Sequence, residues 1–90
     1  MGIPETVATL SALAHGTRLE TYHLLAKEGE SGLPAGEIAV RLKVAPTALS
    51  NHLSILTRAG VLTQERHGRQ LIYRANPEHV RALASLLTKN

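Results

Sequence analysis

The 90-residue sequence contains no cysteine, no tryptophan and no phenylalanine. Without cysteine the chain as given can form neither a disulfide nor a thiolate metal site, which fits a reducing compartment. Apart from histidine, its aromatic side chains are Tyr22 and Tyr73 alone. Two rings are too few for a platform that stacks the bases of RNA or single-stranded DNA.

No apolar run approaches the roughly 20 residues that a transmembrane helix needs, and the N-terminus lacks the basic start of a secretory signal. Gly2 followed by Thr6 fits the short myristoylation pattern, but no other feature indicates a membrane, so we expect no membrane partner. A chain of 90 residues is one small domain, which buries about 60–65% of its unfolded surface. Further burial against a partner would stabilise it.

Acidic residues are scarce in the second half of the chain. Residues 1–40 contain two basic residues against five glutamates (net −3), whereas residues 41–90 contain eight basic residues against two glutamates (net +6). Charge divided so unevenly is typical of proteins that bind a polyanion. The alternative is that the basic residues are scattered over a solvated surface.

The basic half starts inside the stretch Ala35–Ala59, which has the pattern of a helix-turn-helix unit. Ala35–Leu42 and Pro46–Ala59 both carry apolar residues at three- and four-residue steps, which predicts two helices. They are joined by Lys43-Val44-Ala45, a connection typical of the motif whose second helix reads DNA. Gly60 follows at the position where helices commonly end.

The outer face of the second helix has an unusual composition. Opposite the apolar stripe of Leu49, Leu53 and Leu56, it carries short hydrogen-bonding groups and one arginine, without any acid: Thr47, Ser50, Asn51, Ser54 and Arg58. A helix that is merely solvated usually carries Glu and Lys, which are better helix formers. Short polar groups suit a helix that lies deep in a DNA major groove. The alternative is an ordinary helical hairpin with a polar exterior.

After these helices the apolar period changes from helical to alternating. Leu62–His67 and Gln70–Ala75 are predicted strands, joined by a tight turn at His67-Gly68. The tip carries Arg66, His67 and Arg69. A basic hairpin directly after a helix-turn-helix predicts a wing that contacts phosphates or a minor groove. The alternative is a hairpin end kept soluble by its charge.

Three further helices and one short extended stretch are predicted around this unit. The helices are Pro4–Ala14, a helix capped by Thr17 with Glu20 and ending near Glu28, and Pro77–Leu87 with Asn76 as its cap; Leu33-Pro34 is extended.

One arginine and three histidines of the helical segments are candidates for ion pairing or metal binding. Arg18 lies in a first helical turn, where its charge opposes the helix dipole, so we expect it to have a partner, either an acid or a DNA phosphate. His15, His23 and His79 lack the carboxylate or cysteine neighbours that complete a metal site. We predict that they are helix-junction or solvated residues.

The first and last helices carry more apolar surface than a core of this size can bury. We predict that they form the interface of a homodimer through Val7, Leu10, Leu13, Val80, Leu83 and Leu87. The alternative is that the two helices pack on one another within the monomer.

Three segments resemble the ArsR/SmtB family of bacterial winged-helix repressors: residues 50–62, with the run Ser-x-His-Leu-x-x-Leu-x-x-Ala-Gly at its start, residues 66–69 with Tyr73, and residues 15–19. The resemblance covers nearly the whole chain. It implies a mainly α fold with a small β-hairpin, a winged helix-turn-helix of order α-α-α-α-β-β-α. Residues 1–90 would then be a single DNA-binding domain with terminal dimerisation helices. The resemblance also implies a cytoplasmic homodimer that binds double-stranded operator DNA and is released by an inducer.

The resemblance also implies roles for particular residues. Carried over by position, Thr47, Ser50, Asn51 and His52 are the expected DNA readers, and Arg66 and Arg69 are the expected wing contacts. We expect Arg41, Lys43 and His67 to add phosphate contacts that fix the register of the protein on the duplex.

The sensory sites of the family are not intact in this sequence. Where metal-sensing relatives carry Cys-x-Cys, this chain has Pro34, Ala35 and Gly36, and its last helix offers only Glu78 and His79 near its start. We therefore expect no metal site and no cofactor in the chain as given. Residues 84–90 resemble an arsenite-responsive branch in which a cysteine pair follows, so we expect a metalloid inducer only if a cysteine tail follows Asn90.

Two other classes of function compete with the repressor. A winged helix can be a protein–protein interaction module without specific DNA binding, because a fold does not determine a function. A hydrolase would need Ser50 and His52 as nucleophile and base, but side chains two residues apart on a helix point away from each other. We therefore expect no enzymatic activity.

Overall fold

The computed structural model describes residues 1–89, which form five α-helices and a three-stranded antiparallel sheet. This arrangement confirms the predicted winged helix-turn-helix and adds the strand β1. The elements in chain order are α1 (Ile3–Leu13), α2 (Gly16–Glu28), a short 3₁₀ turn (Gly29–Ser31), β1 (Leu33–Pro34), α3 (Ala35–Leu42), α4 (Pro46–Arg58), β2 (Leu62–His67), β3 (Gln70–Ala75) and α5 (Pro77–Thr88).

The sheet has the strand order β1-β3-β2. Strands β2 and β3 form the predicted hairpin, with Leu62 opposite Ala75 at its base and His67 opposite Gln70 at its tip. Gly68 has a φ of 62° while Arg69 does not have a positive φ, the pattern of a tight two-residue turn with glycine first. Leu33 pairs with Tyr73, so β1 ties the hairpin to the start of α3.

The core lies where α2, α3, α4 and the base of the hairpin meet. The predicted inner faces of α3 and α4 are confirmed, because Ile38 in α3 and all three leucines of the α4 stripe are fully buried. Burying a leucine or isoleucine side chain contributes about 1.5–3 kcal/mol. The turn between α3 and α4 is closed by Lys43, which adopts the left-handed conformation at a φ of 56°. This packing fixes which side of α4 is turned outwards.

Two details at the base of α5 differ from the predictions. Asn76 does not cap the helix with its side chain; instead its Nδ2 donates to the carbonyl of Gly60 at 3.0 Å. His79 is not a solvated residue, because its Nε2 lies 2.9 Å from the hydroxyl of Thr9 in α1 and its ring packs on Gly60. The start of α5 is therefore fastened to the end of α4 and to α1.

The first two helices also begin and pack differently from the predictions. Helix α1 turns Thr6, Thr9 and Ala12 inwards, because small side chains allow its close approach, and leaves Val7 and Leu10 exposed. The hydroxyl of Thr9 donates to the carbonyl of Glu5 at 2.8 Å. Helix α2 begins at Gly16, so the predicted cap at Thr17 is wrong: Thr17 lies inside the helix and no side chain caps it.

The residues predicted for a dimer interface differ in how exposed they are within the protomer. Val7, Leu10 and Leu87 are exposed, while Leu83 is only 5% exposed. Leu13 and Val80 are partly buried and pack against the core. Leu83 therefore differs from the prediction, because its side chain is already covered within one protomer. Among residues 1–89, no helix is both long and apolar enough to cross a membrane.

Candidate nucleic-acid interface

The exposed face of α4 is the centre of the candidate interface. Burial of Leu49, Leu53 and Leu56 against the core turns the opposite side of the helix to solvent. That side presents the predicted short polar residues and one arginine, all exposed: Thr47, Ser50, Asn51, Ser54 and Arg58. An exposed helix of this kind is narrow enough to enter a major groove and carries both donors and acceptors for base edges.

The hairpin extends this surface on one side of α4. Successive residues of a strand point to opposite faces of the sheet, and the register places Gln64 beside Tyr73 and Arg66 beside Leu71. Gln64 and Tyr73 line an open hollow with Ser50, Ser54 and Arg58 of α4. Arg66 and Arg69 line the adjoining hollow beside the start of α3. The wing and the outer face of α4 are therefore neighbouring parts of one surface.

Sequence reasoning did not select Gln64 and Tyr73 as parts of this surface. The alternation along the two strands, counted from Arg66, places both residues on the face that carries that arginine. The direction in which this face points depends on how the hairpin packs on α4. The alternation within two strands does not predict that tertiary packing.

The charges on this surface have one sign. Lys43, Arg58, Arg66 and Arg69 are exposed, and none of them has a carboxylate within ion-pair distance in the part of the chain that the structure describes. Cations without internal partners are available for phosphate oxygens. The surface is therefore electrostatically suited to a polyanion.

Glu65, the acidic residue of the wing, lies on the opposite face of the hairpin from Arg66. Glu65 accepts from Arg74 at 2.8 Å and lies 3.2 Å from Nε2 of His67. Hydrogen bonds from His67 and then from Arg74 lower the pKa of the Glu65 carboxyl. His67, predicted as a phosphate contact, is thus beside an acid, whereas Arg66 and Arg69 are not.

Arg41 is engaged in the protein itself. Its guanidinium lies 3.2 Å from Glu28 and 3.5 Å from Glu37, so its placement differs from the expected phosphate contact. Ion pairs this exposed contribute little, about 0–1 kcal/mol.

His52 lies apart from the other predicted DNA readers. It is half-buried on the flank of α4, with its ring 4.6 Å from the ring of His15 and its Nδ1 3.4 Å from Arg18. Burial, followed by the charges of His15 and Arg18, lowers its pKa. The structure therefore leaves Thr47, Ser50 and Asn51 exposed on the outer face of α4, with Ser50 beside the hairpin, and places His52 against Arg18 of α2.

Arg18 has partners that sequence reasoning did not name. Its Nε donates to the carbonyl of Ala12 at 2.7 Å, and its Nη2 lies 3.5 Å from the carbonyl of Ser11. The expected acid is absent from its surroundings within residues 1–89. The arginine opposes the dipole of α2 but complements the negative end of α1.

The described residues show no constellation for metal chemistry. Over residues 1–89, no three histidine, aspartate or glutamate side chains come close enough together to hold a metal ion.

Comparison with known proteins relates the chain to transcriptional regulators. A family model described as a helix-turn-helix domain matches residues 13–65. The transcriptional activator HlyU of Vibrio cholerae is 30% identical over 83 residues, which cover 92% of this chain and 74% of that protein.

Two solved structures share the fold. An ArsR-like transcriptional regulator from Rhodococcus sp. RHA1 superposes with a TM-score of 0.83 at 30% identity, covering 93% of this chain and 76% of that one. The winged helix-turn-helix domain of Mb0332 from Mycobacterium bovis, described as homodimeric, gives 0.79 at 26% identity, covering 94% and 77%.

Proposed function

The chain belongs to the ArsR-type family of winged helix-turn-helix transcriptional regulators, and from this premise we propose that it is a cytoplasmic, homodimeric repressor that reads a palindromic operator and leaves it when an inducer binds. A regulator of this family acts by binding DNA and is not an enzyme. The observation that carries the proposal is a continuous acid-free surface. It is formed by the outer face of α4 and by the face of the hairpin that carries Gln64, Arg66 and Tyr73.

The proposed complex places α4 of each protomer in a major groove. Ser50 and Asn51, exposed near the N-terminal end of α4, would make the base contacts. Thr47 would lie beside them as a further reader. Lys43, Arg66 and Arg69 would bind phosphates on either side, and Arg41 would join them by exchanging its exposed glutamate partners for a phosphate. Two such helices in a dimer recognise half-sites roughly 34 Å apart, one turn of B-DNA.

The proposed dimer uses the apolar residues that the protomer leaves exposed. Val7 and Leu10 lie on the outer side of α1, and Leu87 lies near the end of α5. Ile3 extends the row on α1 by one turn and is 72% exposed. A surface of this kind is explained by burial against a second copy, and the similar domain of Mb0332 is described as homodimeric.

The test is discrimination between DNA sequences. A preferred duplex is first selected from a random library by rounds of binding and amplification. Its affinity is then compared with that of a scrambled duplex of equal length, over a range of salt concentrations. We expect the selected sequence to be a palindrome and to bind at least 10³-fold more tightly. Equal affinities for the two duplexes would contradict the proposed repressor function and favour a module that binds another protein.

The direction of regulation and the inducer need separate measurements, because HlyU is named an activator. A reporter gene under the chain's own promoter should be expressed more strongly when the regulator is deleted. Reduced expression would overturn the repressor and indicate an activator instead. A metalloid inducer such as arsenite would need thiolate ligands, and this chain has no cysteine. An arsenite response is therefore proposed only for a gene product with cysteines after Asn90.

A further inference from the structure

One arginine connects the helix proposed for dimerisation with the helix proposed to read DNA. Arg18 donates through Nε to the carbonyl of Ala12 in α1. Its Nη1 lies 3.4 Å from Nδ1 of His52 in α4. The same guanidinium therefore spans from the C-terminal end of α1 to the flank of α4.

The geometry requires a particular protonation state of His52. A guanidinium only donates hydrogen bonds, so Nδ1 can be its partner only when it accepts, which places the ring proton on Nε2. His15 covers the ring from the side, at 4.6 Å between centroids and tilted by 50°. The arrangement is thus complete when His52 is neutral.

We infer that Arg18, His52 and His15 form a positioning bridge, which holds α4 at a fixed angle to α1 and is intact only while His52 is neutral. The inference rests on the proposed function, because it concerns the angle at which each protomer of a dimer presents α4 to DNA. The sequence predicted His52 as a DNA reader and a phosphate as one possible partner of Arg18, but in this proposal none of the three residues contacts DNA. They act by holding the helix that makes the contacts.

Protonation of His52 breaks the bridge for two reasons. Nδ1 would change from an acceptor into a donor that faces the donors of Arg18, and a positive charge would appear beside Arg18 and His15. These two residues are the charged or titratable groups that act on His52; α1 contributes only the carbonyls of Ser11 and Ala12 to the cluster. Burial and both neighbours lower the pKa of His52 in agreement with this.

The sign of the pH effect follows from the lowered pKa. The folded protein resists protonation more than the unfolded chain does, so the bridge contributes fully above the usual histidine pKa near 6.5 and is lost as the pH falls below it. DNA binding should weaken over the same interval, because the protonated protein must release a proton to form the bridge. With 6.5 as the upper limit of the pKa, the loss of affinity between pH 7.5 and 5.5 is at most about tenfold per protomer, or about 100-fold for a dimer with two bridges.

The experiment measures operator affinity against pH in a background that lacks the wing histidine. His67 is the histidine of the wing, close to the proposed phosphate contacts, so all proteins carry His67→Gln to exclude any contribution from it. His52→Gln is then added, since the glutamine oxygen can accept from Arg18 but does not titrate. The matched control is His23→Gln, at an exposed histidine of α2 that packs only beside Tyr22. Far-UV circular dichroism at each pH verifies folding.

We expect the affinity of the His67→Gln protein to fall from pH 7.5 to 5.5, by up to about tenfold per protomer, and the added His52→Gln to remove most of this fall. His23→Gln should leave the fall unchanged. Identical pH profiles with and without His52→Gln would overturn the bridge. If the pH profiles are identical while every variant still prefers the operator, only this inference fails; if no variant prefers the operator, the proposed function fails instead.

A salt titration separates positioning from direct contact. Removing a residue that binds a phosphate flattens the dependence of log K on log salt by about one unit. Arg18→Gln should weaken operator binding without changing this slope, because its partners are carbonyls and His52. A slope reduced by one unit would overturn the positioning role and assign Arg18 to the DNA contacts.

Discussion

Asn51 and Arg69 are both exposed on the proposed DNA surface, but their chemistry predicts different losses on mutation. The amide of Asn51 can pair with two groups of one base edge, so Asn51→Ala should cost about 1–3 kcal/mol at particular base pairs only. Arg69→Ala should weaken binding to all sequences and reduce the salt slope by about one unit. Affinities for operator and scrambled duplexes, each with a salt series, check both. Matching behaviour of the two variants would contradict the division into base and phosphate contacts.

Gly60 closes the end of α4 at a φ of 84°, with the ring of His79 against it. A Cβ there would lie 3.0 Å from Cε1 of His79, so Gly60→Ala combines backbone strain of about 1–2 kcal/mol with displacement of the ring. Gly68→Ala is the control, because it has a similar φ of 62° and open space around it. Urea unfolding should show the larger loss of free energy for Gly60→Ala. Equal losses would mean that His79 moves aside freely.

Sequence reasoning at the residue scale identified Gly60 as a helix end but not the ring that packs on it. The helix-ending role depends on local geometry, which the sequence carries directly. The contact with His79 depends on bringing together two residues 19 positions apart, which no local pattern specifies. For the same reason His52 was expected among the DNA readers: its place on α4 is local, whereas its neighbours His15 and Arg18 come from another part of the chain.

At the scale of elements, the tie between α1 and α5 is a hydrogen bond between a buried threonine and a partly buried histidine. Thr9 is fully buried and lies 2.9 Å from His79, whereas the hydroxyl of Thr6 donates only within its own helix, to Gly2. We expect Thr9→Val to reduce the free energy of unfolding by about 1–3 kcal/mol, because it leaves His79 without its partner. Thr6→Val is the control and should cost less. Urea titrations measure the free energy of unfolding of both variants. Equal losses for Thr6→Val and Thr9→Val would mean that the hydrogen bond between Thr9 and His79 does not stabilise the fold.

The bounds of α3, α4, β2 and β3 follow closely from the sequence, since periodicity and turn residues mark them. The inner face of α1 does not follow in the same way. The apolar stripe predicted Val7 and Leu10 for the interface between protomers, and both are exposed, but it gave no sign that Thr6 and Thr9 are the residues turned inwards. The apolar residues of α1 show that the helix must bury surface. They do not show whether the core of the same protomer or a second protomer covers a given side of it.

At the scale of the whole molecule, the exposed residues of α1 and α5 predict where two protomers meet. Val7→Glu places a charge on the outer side of α1, where Val7 is 58% exposed, and should yield monomers that bind operator weakly. Val40→Glu is the matched control, since Val40 is 72% exposed but lies on α3. Sedimentation velocity gives the oligomeric state. A stable dimer of the Val7→Glu protein would move the interface elsewhere. Leu83 is unsuitable for this test because its burial within the protomer makes unfolding the first consequence of a charge.

Tyr73 offers an internal probe of the complex. Both tyrosines pack against the core, but Tyr73 also lines the hollow between α4 and the wing, and Tyr22 does not. A protein grown with 3-fluorotyrosine therefore contains two fluorine nuclei, one beside the groove and one remote from it. On titration with duplex DNA, the resonance of the first should shift or broaden while the second serves as an internal reference. A small domain without tryptophan or phenylalanine thus carries its own two-signal spectroscopic reporter.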